Sequence, residues 1–184
     1  MNEKMLPLLK WAGGKRKIAR KIIDLIDHDL QDGTYFEPFL GGGAVLFELL
    51  PNKAVCFDYN RDLIEFYNVV KSKPEKLIRV LDKKYKNQND RDFYYETREL
   101  DRDEENFKRM GDVERAARFM YLNKTCYNGL WRVNSNGYNN VPFGRYVNPK
   151  ILDEDGIRLA SRYFNENHIT FYRSEERRVG KECR

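Results

Sequence analysis

The segment Glu37-Pro38-Phe39-Leu40-Gly41-Gly42-Gly43 joins a short apolar run to a second one that begins at Ala44. Glycines at such a junction let the backbone approach a ligand closely, and a helix that starts there presents free N–H groups to electronegative atoms. Asp58 ends the next apolar run, Ala54-Val55-Cys56-Phe57. From that place a carboxylate can accept hydrogen bonds from ribose hydroxyls or from a ligand amine. The pattern is not a dinucleotide fingerprint, because Leu46 stands where G-x-G-x-x-G needs its last glycine. It is not a P-loop either: Gly14-Lys15 is followed by Arg16 instead of Ser or Thr. A tight turn in an α/β protein of another trade would use the same residues.

Two further segments carry chemical groups. Lys10-Trp11-Ala12-Gly13-Gly14-Lys15 offers an indole face, two glycines and an amine able to meet a carboxylate. A core tryptophan beside a plain loop is the alternative. Between Arg115 and Leu152 there is no Asp or Glu, while Arg115, Arg118, Lys124, Arg132, Arg145 and Lys150 alternate with aromatics. Within that stretch lie Tyr127-Asn128-Gly129-Leu130-Trp131-Arg132 and Val141-Pro142-Phe143-Gly144-Arg145-Tyr146. Arginine can pair bidentately with guanine, Asn and Tyr can enter an opened base stack, and Leu or Pro can touch a thymine methyl. A Gly/Asn-rich loop with buried aromatics accounts for the same residues.

The elements that must hold these groups follow from periodicity. Ile18, Ile22, Leu25 and Ile26 predict an amphipathic helix over Lys15–Ile26. Tyr35–Phe39 is a strand, Ala44–Leu50 a helix stopped by Pro51, Ala54–Phe57 a buried strand, and Arg61–Val70 a helix. Together they make one βαβ unit of a parallel sheet. Pro74 opens a helix with Leu77, Ile78, Leu81 and Tyr85 on one face. Glu99–Glu105 is a charged helix surface or linker, and Asp112 is the expected N-cap of a helix reaching Lys124. Thr125–Pro149 is too long for a plain connection and is expected to be functional. Ile157, Ala160 and Phe164 mark another helix, and His168–Tyr172 a last strand.

Composition narrows the classes. The 184 residues are 41% hydrophobic with net charge +5, which suits one globular domain with a small insertion. No apolar run approaches the roughly 20 residues of a membrane span, and Met1–Leu9 lacks the h-region of a signal peptide. Cys56, Cys126 and Cys183 are far apart and only two histidines are present, which argues against zinc, metal and disulfide frameworks. A reduced, cytoplasmic setting is expected.

K-W-A-G-G-K, E-P-F-x-G-G-G, D-Y-N at Asp58, Y-N-G-L-x-R and N-V-P-F-G-R-Y occur together and in order. Jointly they resemble the Dam group of class D12 adenine-N6 DNA methyltransferases over about Leu8 to Tyr172. The resemblance implies S-adenosylmethionine as cofactor and double-stranded DNA, at GATC, as partner of a monomer. It also implies a Rossmann-like α/β fold, with residues 1–73 and 151–172 in the methyltransferase domain and 74–150 as a helical target-recognition insertion. Trp11, Lys15 and Asp58 would hold the cofactor, with the turn from Glu37 through Gly41 closing over it. Tyr127 and Asn128 would help open the duplex, Leu130, Arg132 and Pro142 would read bases, and Lys10 would contact the other end of the site.

One part of the family pattern is missing. The N6 lone pair of adenine is delocalised, so the base must be flipped out and its amino group given hydrogen-bond acceptors. The family does this with D-P-P-Y, yet no two of the six prolines here are adjacent. Asp153 and Asp155 lack paired prolines as well. The expectation is a chain truncated before its catalytic motif, short of C-terminal strands and inactive alone, with residues 173–184 a non-native tail. A DNA-binding module or regulator without methyl transfer, and a nucleotide-dependent enzyme unrelated to DNA, stand as alternatives.

Overall fold

A computed structural model describes residues 5–26 and 33–174. Cys183 and residues 175–184 of the expected tail lie outside them. The elements in chain order are α1 (Ala19–Ile23), β1 (Tyr35–Glu37), α2 (Ala44–Leu49), β2 (Ala54–Asp58), α3 (Arg61–Ser72), α4 (Pro74–Lys84), α5 (Arg91–Glu99), α6 (Glu104–Arg109), α7 (Asp112–Thr125), α8 (Glu154–Glu166) and β3 (Ile169–Arg173). The fold is mixed α/β. Among the described residues three strands, all parallel, lie in the order β1-β2-β3, with Glu37, Cys56 and Phe171 in one register row.

That row, with Ala54 and Ile169, forms the buried face of the sheet. Tyr67 of α3 stacks on Phe171 at 5.0 Å between ring centroids, and Phe164 of α8 meets the same ring edge-on at 4.9 Å. The opposite face carries Phe36 and Tyr172, both more than half exposed. α3 packs along α7, and α4 lies between α7 and α8. One connected apolar core therefore runs from the sheet into the helices after Pro74. Leu77, Ile78, Leu81 and Tyr85, the predicted face of α4, are all buried in it.

Several expectations change. The first helix is shorter than Lys15–Ile26: a 3-10 turn covers Lys15–Lys17, and α1 keeps only Ala19–Ile23. Its end tightens into i+3 bonds, Leu25 N–H to Ile22 O and Ile26 N–H to Ile23 O. α1 packs against α2, but only part of the predicted stripe is covered: Ile22 and Ile26 are half-buried, while Leu25 is 87% exposed and Ile18 49%. Asp112 is not the N-cap of α7. Gly111 takes that place, with its N–H donated to Glu114 Oε2 at 3.2 Å, while Asp112 pairs with Lys73. The charged run Glu99–Glu105 divides between the end of α5, a 3-10 turn at Leu100–Arg102 and the start of α6. β3 includes Arg173, whose partner in register is Asp58.

Candidate cofactor cleft and nucleic-acid interface

β1 delivers Glu37 to the lower end of the glycine turn, and β2 delivers Asp58 beside its upper end. Asp58 Oδ2 accepts the Gly41 N–H at 2.8 Å, and Oδ1 accepts the Asn60 N–H at 2.9 Å. Asn60 in turn caps α3 by accepting from Asp62 and Leu63 N–H. The carboxylate thus fixes the turn and the helix start as well as facing the cleft. Gly41 adopts φ +52, and a Cβ there would lie 3.0 Å from Trp11 Cδ1. At Gly42 a Cβ would approach Trp11 Cβ to 2.9 Å. The space these glycines leave is filled on one side by the indole, which sits against the turn.

Trp11, Lys15, Glu37, Gly41 and Asp58 line a single cleft together with Ala12–Gly14, Phe39 and Leu40. All five residues expected at the cofactor are brought together from three separate segments. Lys15 reaches across the cleft and donates to Phe39 O at 3.2 Å. Glu37 is 5% exposed, and its Oε2 has no hydrogen-bond partner among the described residues. The hydroxyl of Tyr67, buried under Gly43, is likewise unpartnered. Burial pushes the Glu37 carboxyl up to about 7, against the opposing pull of Lys15 and of a hydrogen bond with Tyr35. A buried, unsatisfied carboxyl at the edge of a cleft suits a ligand that brings a cation or a donor.

The raised value has a consequence for stability. Between about 4.5 and about 7 the folded chain holds a proton on Glu37 that the unfolded chain has released. This group's contribution therefore falls as pH rises through that window and stays low above it. Glu37→Gln cannot ionise, so its melting temperature should exceed the parent's near pH 8, with the gain shrinking as pH drops below about 7. Thermal melts across pH check this; a pH-independent difference would contradict it.

The stretch after α7 is folded back on itself. Cys126 bridges Phe143 and Val133 bridges Asn139 in antiparallel fashion, so the segment is a distorted hairpin rather than an open loop. Tyr127 donates its N–H to Pro142 O at 2.9 Å, and Leu130 donates to Tyr127 O. Asn128 is exposed in the left-handed region at φ 53, and Tyr127 is 51% exposed. Arg132 is exposed, its Nε donating to Asn140 Oδ1 at 2.7 Å. Lys10 joins the group from the N-terminal segment, its amine 3.7 Å above the Tyr146 ring. Thus Lys10, Tyr127, Asn128, Leu130, Arg132 and Pro142 cluster about one hairpin.

Absence of acidic neighbours in sequence does not mean absence in space. Arg115 pairs with Glu65 of α3, and Arg118, 2% exposed, pairs with Asp101 and donates to Thr97 and Arg98 carbonyls. Both arginines join helices and leave the exposed hairpin to Arg132 and Arg145. Lys124 is half-buried, and desolvation, with Lys10 next, lowers its amine to about 8. Sequence does not single out Asn123, and it offers Asn140 and Tyr146 only as the ends of the N-V-P-F-G-R-Y motif. The one available signal was an asparagine ending the apolar run Phe119-Met120-Tyr121-Leu122. Among the described residues no acidic, His or Cys cluster could hold a metal, and no helix is long and apolar enough to cross a membrane.

Comparison with known proteins matches the chain to one family. The model of the D12 class N6 adenine-specific DNA methyltransferases matches residues 11–182. The chain is 43% identical over 177 residues to the type II methyltransferase M1.LlaDCHI of Lactococcus lactis subsp. cremoris, covering 96% of this chain and 61% of the relative. It is 43% identical over 169 residues to the type II methyltransferase M.MjaIII of Methanocaldococcus jannaschii, covering 85% and 58%. It is 36% identical over 164 residues to a DNA adenine methylase of Serratia marcescens, covering 88% and 57%. The chain thus spans about three fifths of the length of these curated relatives. It belongs to the D12 class N6 adenine-specific DNA methyltransferase family.

Proposed function

We propose that the protein transfers a methyl group from S-adenosylmethionine to N6 of adenine in double-stranded DNA, with GATC as its target. The observation that carries this reading is the convergence of Trp11, Lys15, Glu37, Gly41 and Asp58 on one cleft. Their chemistry fits the cofactor. The unpartnered Glu37 Oε2 suits an ammonium group, the Lys15 amine a carboxylate, and Asp58 retains acceptor capacity for ribose hydroxyls beyond its two backbone bonds. Trp11 supplies an apolar wall. S-adenosylmethionine, when bound, supplies a methyl group on a positively charged sulfur.

On the DNA side, Tyr127 and Asn128 stand exposed at the tip of a tight turn, where they can enter an opened stack. Arg132 is oriented by Asn140 for a base edge, with Leu130 and Pro142 as apolar neighbours, and Lys10 approaches from the cleft side. The sheet strands and α8 belong in this reading to a Rossmann-like domain (1–73 and 151–172), and residues 74–150 to a target-recognition insertion.

No two prolines of this chain are adjacent, so it carries no D-P-P-Y, and the proposal places the acceptor for the N6 hydrogens outside these residues. Residues 1–184 alone are therefore expected to incorporate no tritiated methyl groups into a GATC duplex. The same residues continued through a segment carrying D-P-P-Y should incorporate them. Turnover by residues 1–184 that Asp58→Ala abolishes would place the acceptor elsewhere in this chain. Failure of the continued protein on every adenine-containing duplex would overturn the proposed activity.

A further inference from the structure

The cleft and the DNA-contacting hairpin share one piece of chain, and α7 grips it. Asn123 is fully buried, and its side-chain amide spans the backbone of Lys10. Oδ1 accepts the Lys10 N–H at 2.9 Å, and Nδ2 donates to Lys10 O at 2.7 Å. Only this orientation of the amide satisfies both groups. The same Nδ2 lies 3.5 Å from Gly129 O, at the root of the hairpin. Gly129, at φ +62, packs so closely that a Cβ there would overlap Lys10 Cβ.

One turn earlier on the same face of α7, Phe119 makes a second link. Its ring lies 6.4 Å from Trp11 and 4.4 Å from Trp131, centroid to centroid. Trp11 is the residue packed on Gly41 and Gly42. Each of these two side chains therefore touches the Lys10–Trp11 segment of the cleft and the Gly129–Trp131 segment of the hairpin. Neither side chain lines the cleft itself.

We propose that Asn123, assisted by Phe119, is a positioning residue that couples cofactor binding to DNA binding. A cofactor seated against Trp11 orders the Lys10–Trp11 backbone, and through the Asn123 amide this sets the hairpin root at Gly129. DNA held by Lys10 and the hairpin orders the same backbone in reverse, so the effect must be reciprocal. The inference rests on reading the cleft as the cofactor site and the hairpin as the DNA contact.

The test is calorimetric titration of the full chain with S-adenosylhomocysteine, without and with a saturating short GATC duplex at low salt. The unaltered chain should bind the cofactor product at least about fivefold more tightly when DNA is present. Asn123→Leu, of similar size and without polar atoms, should bring that ratio to within about twofold of one. Asn123→Ser, whose hydroxyl is one bond too short to reach the Lys10 N–H or Lys10 O, should lower the ratio too, and serves if the leucine variant does not fold. Leu77→Ala removes core volume from α4 without touching either amide bond to Lys10 and should keep the full ratio. Retention of the ratio in both Asn123 variants, or its loss in Leu77→Ala, would overturn the proposal. Independent binding of both ligands to the unaltered chain would overturn it while leaving the functional reading intact; binding of neither would overturn that reading as well.

Discussion

Replacing Asp58 by alanine is expected to raise the dissociation constant for S-adenosylmethionine at least about tenfold, equivalent to about 1.4 kcal/mol. Two losses contribute. The cleft loses its acceptor for ribose hydroxyls, and the glycine turn loses the bond that fixes Gly41 N–H at 2.8 Å. The second loss frees a backbone donor beside the cleft and lets the turn, held against Trp11, relax. Asn60 loses its own N–H bond to Asp58 but keeps its cap on α3 through Asp62 and Leu63, so the helix start should survive. Folding measured by circular dichroism should therefore change far less than affinity. Unchanged affinity in a folded variant would remove Asp58 from the cofactor site.

Arg132→Ala is expected to remove about 1–3 kcal/mol of discrimination at one G·C pair, the worth of a bidentate contact to guanine. Asn140 braces the guanidinium on the exposed side of the hairpin, and this lowers the entropy lost on meeting a base edge. The loss should thus fall on matched sites and spare random DNA. Lys124→Ala makes the contrast. Its amine, half-buried beside Lys10, is lowered to about 8, and a phosphate would restore its full charge. Its removal should weaken binding to every sequence alike and reduce the salt slope. Equal losses on matched and mismatched duplexes for Arg132→Ala would withdraw base reading from that residue.

The parts of the fold legible in the sequence are those fixed locally. Strand, glycine turn, helix and Asp58 lie within one short βαβ unit, and β1, α2, β2 and α3 fall within a residue or two of their expected bounds. Most of the cleft inherits that legibility because the turn after β1 and the end of β2 form two of its three walls, the third being Trp11–Lys15. Periodicity failed at Lys15–Ile26, since it reports a face that could be buried and not what would bury it. α5 was missed for the opposite reason: Tyr94 and Thr97 are its only buried residues, and charge masks the pattern. The Asp90 cap, accepting from Asp92 and Phe93, was the available sign.

The hairpin after α7 was the least legible part. Its shape depends on two isolated bridges and on Lys10, which lies 113 residues before Asn123 in the chain. No local rule reports such a bond. The acid-free stretch misled in a related way, because Arg115 and Arg118 find Glu65 and Asp101 on other helices. Charge patterns in sequence identify which residues lack acidic neighbours along the chain, while packing decides which remain available to DNA.

The most direct test of the account is photochemical labelling of the chain with tritiated S-adenosylmethionine, followed by competition. Label is expected in the cleft segments, suppressed by S-adenosylhomocysteine but not by NAD or ATP, and lost in Asp58→Ala. Label that NAD or ATP suppresses equally, or that persists in folded Asp58→Ala, would contradict it.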